Sequence, residues 1–236
     1  MKRLLTASIV ICVMFGSSVV RAAEPSPQTV TGIPLDKPWK VTIYAFARAH
    51  FLHPAWGWQH SERDYRLALK IAQGDDLAVD SDVLFAAAML HDMAAFTPWS
   101  TPAVESGKLE HGVAAATDCV PILRAAGFPM EKIAAVQAAE SDHMYYSNAT
   151  SPDAIALHDA DSLDFLGAMG AARILATVGV EKPSASGAIK TLRTFIKDIP
   201  PRLYTKTARE MGAQRVAELS AFLNELDAES YGGKSI

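Results

Sequence analysis

The stretch "ALHDADSLDFLGAMGAAR" (residues 156–173) sets His158, Asp159, Asp161 and Asp164 inside an otherwise apolar run. It belongs to a longer helical pattern that opens with Ser151 as cap and Pro152 in the first turn, and ends by Gly179. A helix cannot turn all three of these aspartates to water without using its core face. A buried ionised carboxylate is costly unless it is paired, hydrogen-bonded or bound to metal. The stretch therefore predicts a core helix with an acid that serves a site, the rest of which lies elsewhere in the chain.

The neighbouring segments read as helices too. "SERDYRLALKIAQG" predicts one near residues 60–73, with Gly74 as its stop. "DSDVLFAAAMLHDMAAF" predicts one over about 82–96, capped by Asp80 or Ser81. "LEHGVAAATDCVPILRAAG" predicts a third, interrupted or kinked at Pro121 and ended by Gly127. "PMEKIAAVQAAESDH" predicts a fourth, with Pro129 near its start. Two more follow near 184–197 and 203–228, split by Pro200-Pro201. No series of alternating strands and no internal repeat stands out. The expected fold is all-α, a single helical domain over residues 39–236 with its site built from side chains that face each other between helices. Residues 23–38, rich in Pro, Ser and Thr, read as an extended lead-in.

The first residues read differently. "MKRLLTASIVICVMFGSSVVRAAEP" has a basic start, an apolar run and then small residues, the three-part layout of a secretory signal peptide. Val20 and Ala22 suit a cut after Ala22. The rival is an uncleaved anchor, but the run is short for a span, which takes about 20 residues. Export, to a periplasm, is therefore expected, with no stable membrane anchor after cleavage. Removal of residues 1–22 leaves 19 basic and 26 acidic residues, a charge of −7. That balance argues against a nucleic-acid polymer as partner. It leaves a small anionic substrate possible, because a metal reverses the local field. Of the two cysteines only Cys119 would remain, read as buried packing. A homo-oligomer stays open.

Seven histidines punctuate the chain. One histidine on an apolar helix face is ordinarily a satisfied core residue, but here the pattern changes the weight. His91 and Asp92 stand together after the apolar run Val83–Leu90. Neighbouring side chains on a helix diverge by about 100°, so an imidazole and a carboxylate can reach one ion at the edge between them. His60 lies 31 positions upstream and Asp161 offers a further carboxylate. This nitrogen and oxygen set without sulfur suits Mn, Fe, Co, Ni or Zn, and Mg to a lesser extent.

His60, His91-Asp92 and Asp161, in that order, resemble the defining motif of the HD-domain superfamily of metal-dependent phosphohydrolases. The segments "GWQHSERDYRLALKIA", "FAAAMLHD", "EHGVAAATDCVPILRAAGFP", "HDADSLDFLGAMGAAR" and "LYTKTAREMGAQRVAELSAFLNELDAE" together resemble its small single-domain branch. The resemblance implies that Asp161 is the ligand within the opening stretch. Asp164, three residues on, falls on a similar face one turn later and reads as a supporting group, with Arg173 as its candidate partner. His111 and His143 fall where some relatives add two histidines for a second ion bridged by the HD aspartate. Whether they hold that ion or handle substrate phosphate stays open, as does the choice between one ion and two. The implied activity is hydrolysis of a small phosphorylated substrate, a nucleotide, with Asp92 orienting the attacking water. One departure stands out: "MAAFTPW" follows the HD pair where many relatives carry another acid or a lysine. Arg63, one turn after His60, is a candidate contact for a substrate anion, or a partner of Glu62 or Asp64. Glu105 and Glu110 are candidates for proton transfer or for supporting the ligands from behind. Trp56, Trp58 and Trp99 could wall a pocket, although packing is their commoner use.

Two other readings are carried along. The same ligand pattern supports non-phosphate chemistry in other HD proteins, namely di-iron oxygenases and hydratases. A non-catalytic binding protein, stabilised by its metal, is the third.

Overall fold

The computed structural model describes residues 27–182 and 184–236. The expected signal peptide, residues 1–22, lies outside them. The described residues form helices: α1 (Pro38–His50), α2 (Trp58–Gly74), α3 (Ser81–Leu90), α4 (Pro102–Glu105), α5 (His111–Ala126), α6 (Ile133–Ser141), α7 (Pro152–Asp164), α8 (Gly167–Leu175), α9 (Ala185–Asp198) and α10 (Lys206–Glu229). Short 3-10 turns sit at Met93–Ala95, Met130–Lys132 and Pro200–Arg202. The β pairings among the described residues are two isolated bridges, Gln28 with Pro34 and Val178 with Lys182. The fold is all-α, and no described helix is long and apolar enough to cross a membrane.

Two helices form the centre. α3 is apolar all round, and every residue from Asp82 to Leu90 is buried, as expected of a helix enclosed by others. α7 is buried from Ala156 to Asp164 despite its three aspartates. α2 packs on both α3 and α7, α5 and α6 close one side, and α8, α9 and α10 close the other. Trp39 of α1 meets Phe85 of α3 edge-on at 5.8 Å and Phe128 at 4.8 Å. Such edge-to-face pairs add about 0.5–1.5 kcal/mol beyond the area they bury.

The caps follow the local chemistry. The Asp80 side chain accepts from the amides of Asp82 and Val83 to start α3. Ser151 does the same for Ala154 at α7. Gly127, at φ 78°, ends α5 in the left-handed conformation that glycine adopts without strain. α5 runs through Pro121 as one helix.

Three boundaries differ from expectation. α3 ends at Leu90, not near 96, so His91 and Asp92 stand at its C-terminal end. The long pattern from 151 to 179 divides at Phe165–Leu166, where Gly167 takes φ 71°. α1 was not singled out, although Pro38 opens it. The segment before it also does more than lead in. Ile33 and Leu35 are buried in the core, and the Thr31 amide donates to Glu62 Oε2 at 3.1 Å.

Candidate metal centre

Five helices bring the candidate ligands together. His60 begins α2, His91-Asp92 follow the last turn of α3, and Asp161 lies in α7. His111 opens α5 and His143 follows α6. His60 Nε2 lies 3.3 Å from His91 Nε2 and 3.2 Å from Asp161 Oδ1. Asp92 stands at the middle. Its Oδ2 is 3.3 Å from His91 Nε2 and 3.6 Å from His60 Nε2. Its Oδ1 is 3.3 Å from His111 Nε2 and 3.7 Å from His143 Nε2. One carboxylate thus addresses two sets of imidazoles, one with each oxygen. Ending α3 at Leu90 is what frees Asp92 to do so, since its backbone has left the helix at φ −95°, ψ 6°.

The imidazoles are oriented from behind. His60 Nδ1 lies 2.9 Å from Asp164 Oδ2. His91 Nδ1 lies 2.9 Å from the Ala88 carbonyl and His143 Nδ1 lies 2.6 Å from the Glu140 carbonyl. A proton held at Nδ1 leaves the Nε2 lone pair aimed at the centre, the arrangement in which histidine binds metal. Asp164 is fixed in turn: Arg173 Nη1 donates to it at 2.7 Å and Arg63 Nη2 at 2.8 Å. Asp164 supports His60 and pairs with Arg173.

Charge and burial put the cluster under strain without a cation. Burial disfavours a charged His91, but Asp92, Asp64 and Asp161 outweigh it and draw its pKa up to about 10. Burial, with His91 and His111 nearby, drives His143 down to about 4, so it is a neutral imidazole at pH 7. Burial pushes the Asp92 carboxyl up, but His91 and His111 hold it well below the carboxylate range. Burial raises Asp64 to about 7, with Asp164 and Asp161 adding to the effect against His60 and His91. Among the described residues, both oxygens of Asp64, Oδ2 of Asp161 and Nε2 of His143 have no hydrogen-bond partner, although buried. Buried polar atoms are ordinarily satisfied. Two overlapping groups, His60/Asp64/His91/Asp161 and His91/Asp92/His143, have ligand atoms within 4.8 Å of one another. These lone pairs, converging without donors, fit a divalent cation.

Over the centre lies a cavity of about 470 Å³. Asp92, His111 and Asp161 line it together with Trp56, Val104, Met144, Tyr145, Tyr146, Phe165, Phe195 and Glu181. Apart from His111, its lining is apolar, aromatic or acidic.

The remaining candidates fall elsewhere. Arg63 lines a separate small hollow with His53 and His60, and its guanidinium is engaged by Asp164 rather than by Glu62 or Asp64. His158 faces Asp159 at 3.1 Å and the Tyr204 ring, away from the cluster. Glu110 caps α5 through the Gly112 amide and accepts from Tyr146 at the cavity rim. Glu105 accepts from Ser100 on the surface. Trp56 reaches the cavity, whereas Trp58 packs on Tyr44 and Trp99 on Phe46. Cys119 is buried. The residue that sequence reasoning passed over is Asp64. Its signal was the spacing of one helical turn from His60.

Residues 57–166 match the family model of the HD domain. The same architecture occurs in solved structures. A Lactobacillus plantarum protein is 23% identical, with 81% of this chain and 96% of that one covered at a TM-score of 0.63. Bacillus subtilis YpgQ in complex with ADP is 19% identical, with 80% and 97% covered at 0.60. A predicted HD superfamily hydrolase from an uncultured Thermotogales bacterium is 25% identical, with 80% and 90% covered at 0.55. Comparison with curated proteins gives no match.

Proposed function

Because residues 57–166 match the HD-domain family model, we propose that this protein is an exported metal-dependent phosphohydrolase acting on a small phosphorylated substrate, a nucleotide. The observation that carries the reading is the carboxylate of Asp92, whose two oxygens face two sets of imidazoles while buried lone pairs beside it lack donors. His60, His91, Asp92 and Asp161 would hold one ion, and Asp92, His111 and His143 a second. Such ions supply Lewis acidity to a phosphoryl oxygen and a water of lowered pKa. Asp92, partly open to the cavity, is positioned to orient that water. With only the first ion bound, His111, the more accessible of the two outer imidazoles, is instead free to pass a proton to the departing oxygen. Asp164 keeps His60 in the tautomer that presents Nε2, and Arg63 and Arg173 keep Asp164 charged.

The cavity also bears on the substrate. Its aromatic walls suit a flat base, and the ADP complex of the fold relative YpgQ favours a nucleotide. His111 is the one basic side chain lining it, so the ions must balance the phosphate charge. That favours substrates with few phosphates over triphosphates.

A second reading has support from the same apolar lining: an HD-fold hydratase or di-iron oxygenase working on a non-phosphate molecule. Chelator-stripped protein is reloaded with Mn²⁺, Fe²⁺, Ni²⁺, Co²⁺ or Zn²⁺ and offered nucleoside mono-, di- and triphosphates. Phosphate release that needs the ion supports the first reading. Oxygen uptake or nitrile hydration without phosphate release would move the assignment to the second. Export is tested by sequencing the N-terminus of the cell-purified protein, expected at Ala23.

A further inference from the structure

Asp64 is the buried acid for which the proposed chemistry has no task. It stands one turn after His60 on α2, fully buried. Its Oδ2 lies 3.0 Å from His60 Nε2 and 3.7 Å from His91 Nε2, yet neither of its oxygens accepts a hydrogen bond. Three other buried acids of the fold are served. Glu62 accepts from Thr31 and Tyr44, Asp159 from Tyr204 and Thr205, and Asp164 from two arginines. Glu140 also lacks donors, but among the described residues only Asp64 combines that lack on both oxygens with two imidazole nitrogens within 4 Å of its carboxylate. The neighbouring Asp161 likewise has one oxygen without a donor.

Building on the metal-centre reading above, we propose that Asp64 is a further ligand of the ion held by His60, His91, Asp92 and Asp161, and that it makes the centre favour Mn²⁺ or Fe²⁺ over Zn²⁺. The donor set then holds two imidazoles and three carboxylates. Zinc sites take three or four protein ligands, with softer nitrogen and sulfur donors prominent. Carboxylate oxygens suit harder ions such as Mn²⁺ that accept higher coordination. Each added carboxylate therefore narrows the advantage that zinc holds at a nitrogen-rich site. The competing role for Asp64 is structural, as a partner that merely holds His60.

The two roles separate in the chelator-stripped full chain. Mn²⁺ and Zn²⁺ dissociation constants are measured by titration calorimetry for wild type, Asp64→Asn and Asp64→Leu, with the melting temperature of each metal-free form. A ligand role predicts that Mn²⁺ binding weakens by about 10- to 100-fold in both variants, a loss of the size seen when groups around a metal are removed, while Zn²⁺ binding changes far less. It also predicts metal-free melting temperatures equal to or above wild type, because an unserved buried carboxylate has been removed. An unchanged Mn²⁺-to-Zn²⁺ ratio overturns the proposal, as do variants that melt lower or fail to fold without metal. A wild type that binds neither ion refutes the metal-centre reading itself, whereas unaffected variants of a wild type that does bind refute only the role of Asp64.

Discussion

Replacing Asp164 by alanine separates the support of the site from the site itself. The carboxylate accepts from Arg173 Nη1 at 2.7 Å, from Arg63 Nη2 at 2.8 Å and lies 2.9 Å from His60 Nδ1. Arg173 is 2% exposed, donates its Nε to the Ala55 carbonyl and lies over the Phe165 ring at 4.5 Å. It therefore cannot swing out to water. Leaving a buried charge unpaired costs about 3–5 kcal/mol. Arg63 is more open and re-solvates, so its lost pair adds little. For a domain of this size each kcal/mol lowers the melting temperature by about 2–4 °C, giving a fall of about 6–20 °C. The assay is thermal unfolding of chelator-stripped protein, followed by circular dichroism. In the double variant Asp164→Ala/Arg173→Met both charges are gone and the apolar stem still packs on Phe165, so most of the lost stability returns. Metal affinity does not return, because His60 remains without its Nδ1 partner, and it stays about 10- to 100-fold weaker than wild type. A melting temperature within about 2 °C of wild type in the single variant, or no rescue by Arg173→Met, would refute the reasoning.

Two other perturbations probe the frame. A Cβ at Gly112 would stand 2.7 Å from the Glu140 carbonyl oxygen and 2.9 Å from His143 Cε1. Gly112→Ala should cost about 1–3 kcal/mol and displace the His143 ring, seen as a lower melting temperature together with less metal per chain. At the start of α3, Lys37 and Lys132 both reach Asp82, at 2.6 and 3.0 Å. Burial raises the Asp82 pKa, but the two lysines outweigh it and leave the carboxyl below its ordinary value. A depressed carboxyl stabilises the fold above the unfolded pKa of about 3.9 and loses that contribution as pH falls through the folded value. Asp82→Asn should therefore be less stable than wild type by about 1 kcal/mol at pH 7 in urea unfolding, the partly exposed lysines limiting the effect. The gap should close in acid, and a gap that widens there would contradict the assignment.

Much of the frame was legible because its signals are local. Asp80, Ser151 and Gly127 mark helix ends through hydrogen bonds and backbone conformations that those residue types favour over a few positions. The ordered set His60, His91-Asp92 and Asp161 pointed to one site, and the chain brings those side chains within reach of one another. What escaped reading depends on tertiary contact. Nothing in "LHDMAAF" says that α3 stops at Leu90, since no glycine or proline interrupts it before Pro98. In "DFLGAMG" the apolar rhythm hides the break before α8. The two glycines were the available cue: Gly167 takes φ 71°, and a Cβ at Gly170 would lie 2.1 Å from the Phe165 carbonyl oxygen. Asp64 was overlooked because motif order draws attention to residues far apart in sequence, whereas its closeness to His60 comes from one turn of helix. The sharing of Asp92 between two sets of imidazoles arises only once α5 and α6 pack beside α3.

The most direct test of the central claim is metal content and phosphate release measured on the same preparations of wild type and Asp92→Ala. The account predicts that wild type carries ion and releases phosphate from a nucleotide only while loaded, and that Asp92→Ala loses both together. An Asp92→Ala protein with full metal content and full phosphatase activity would contradict it.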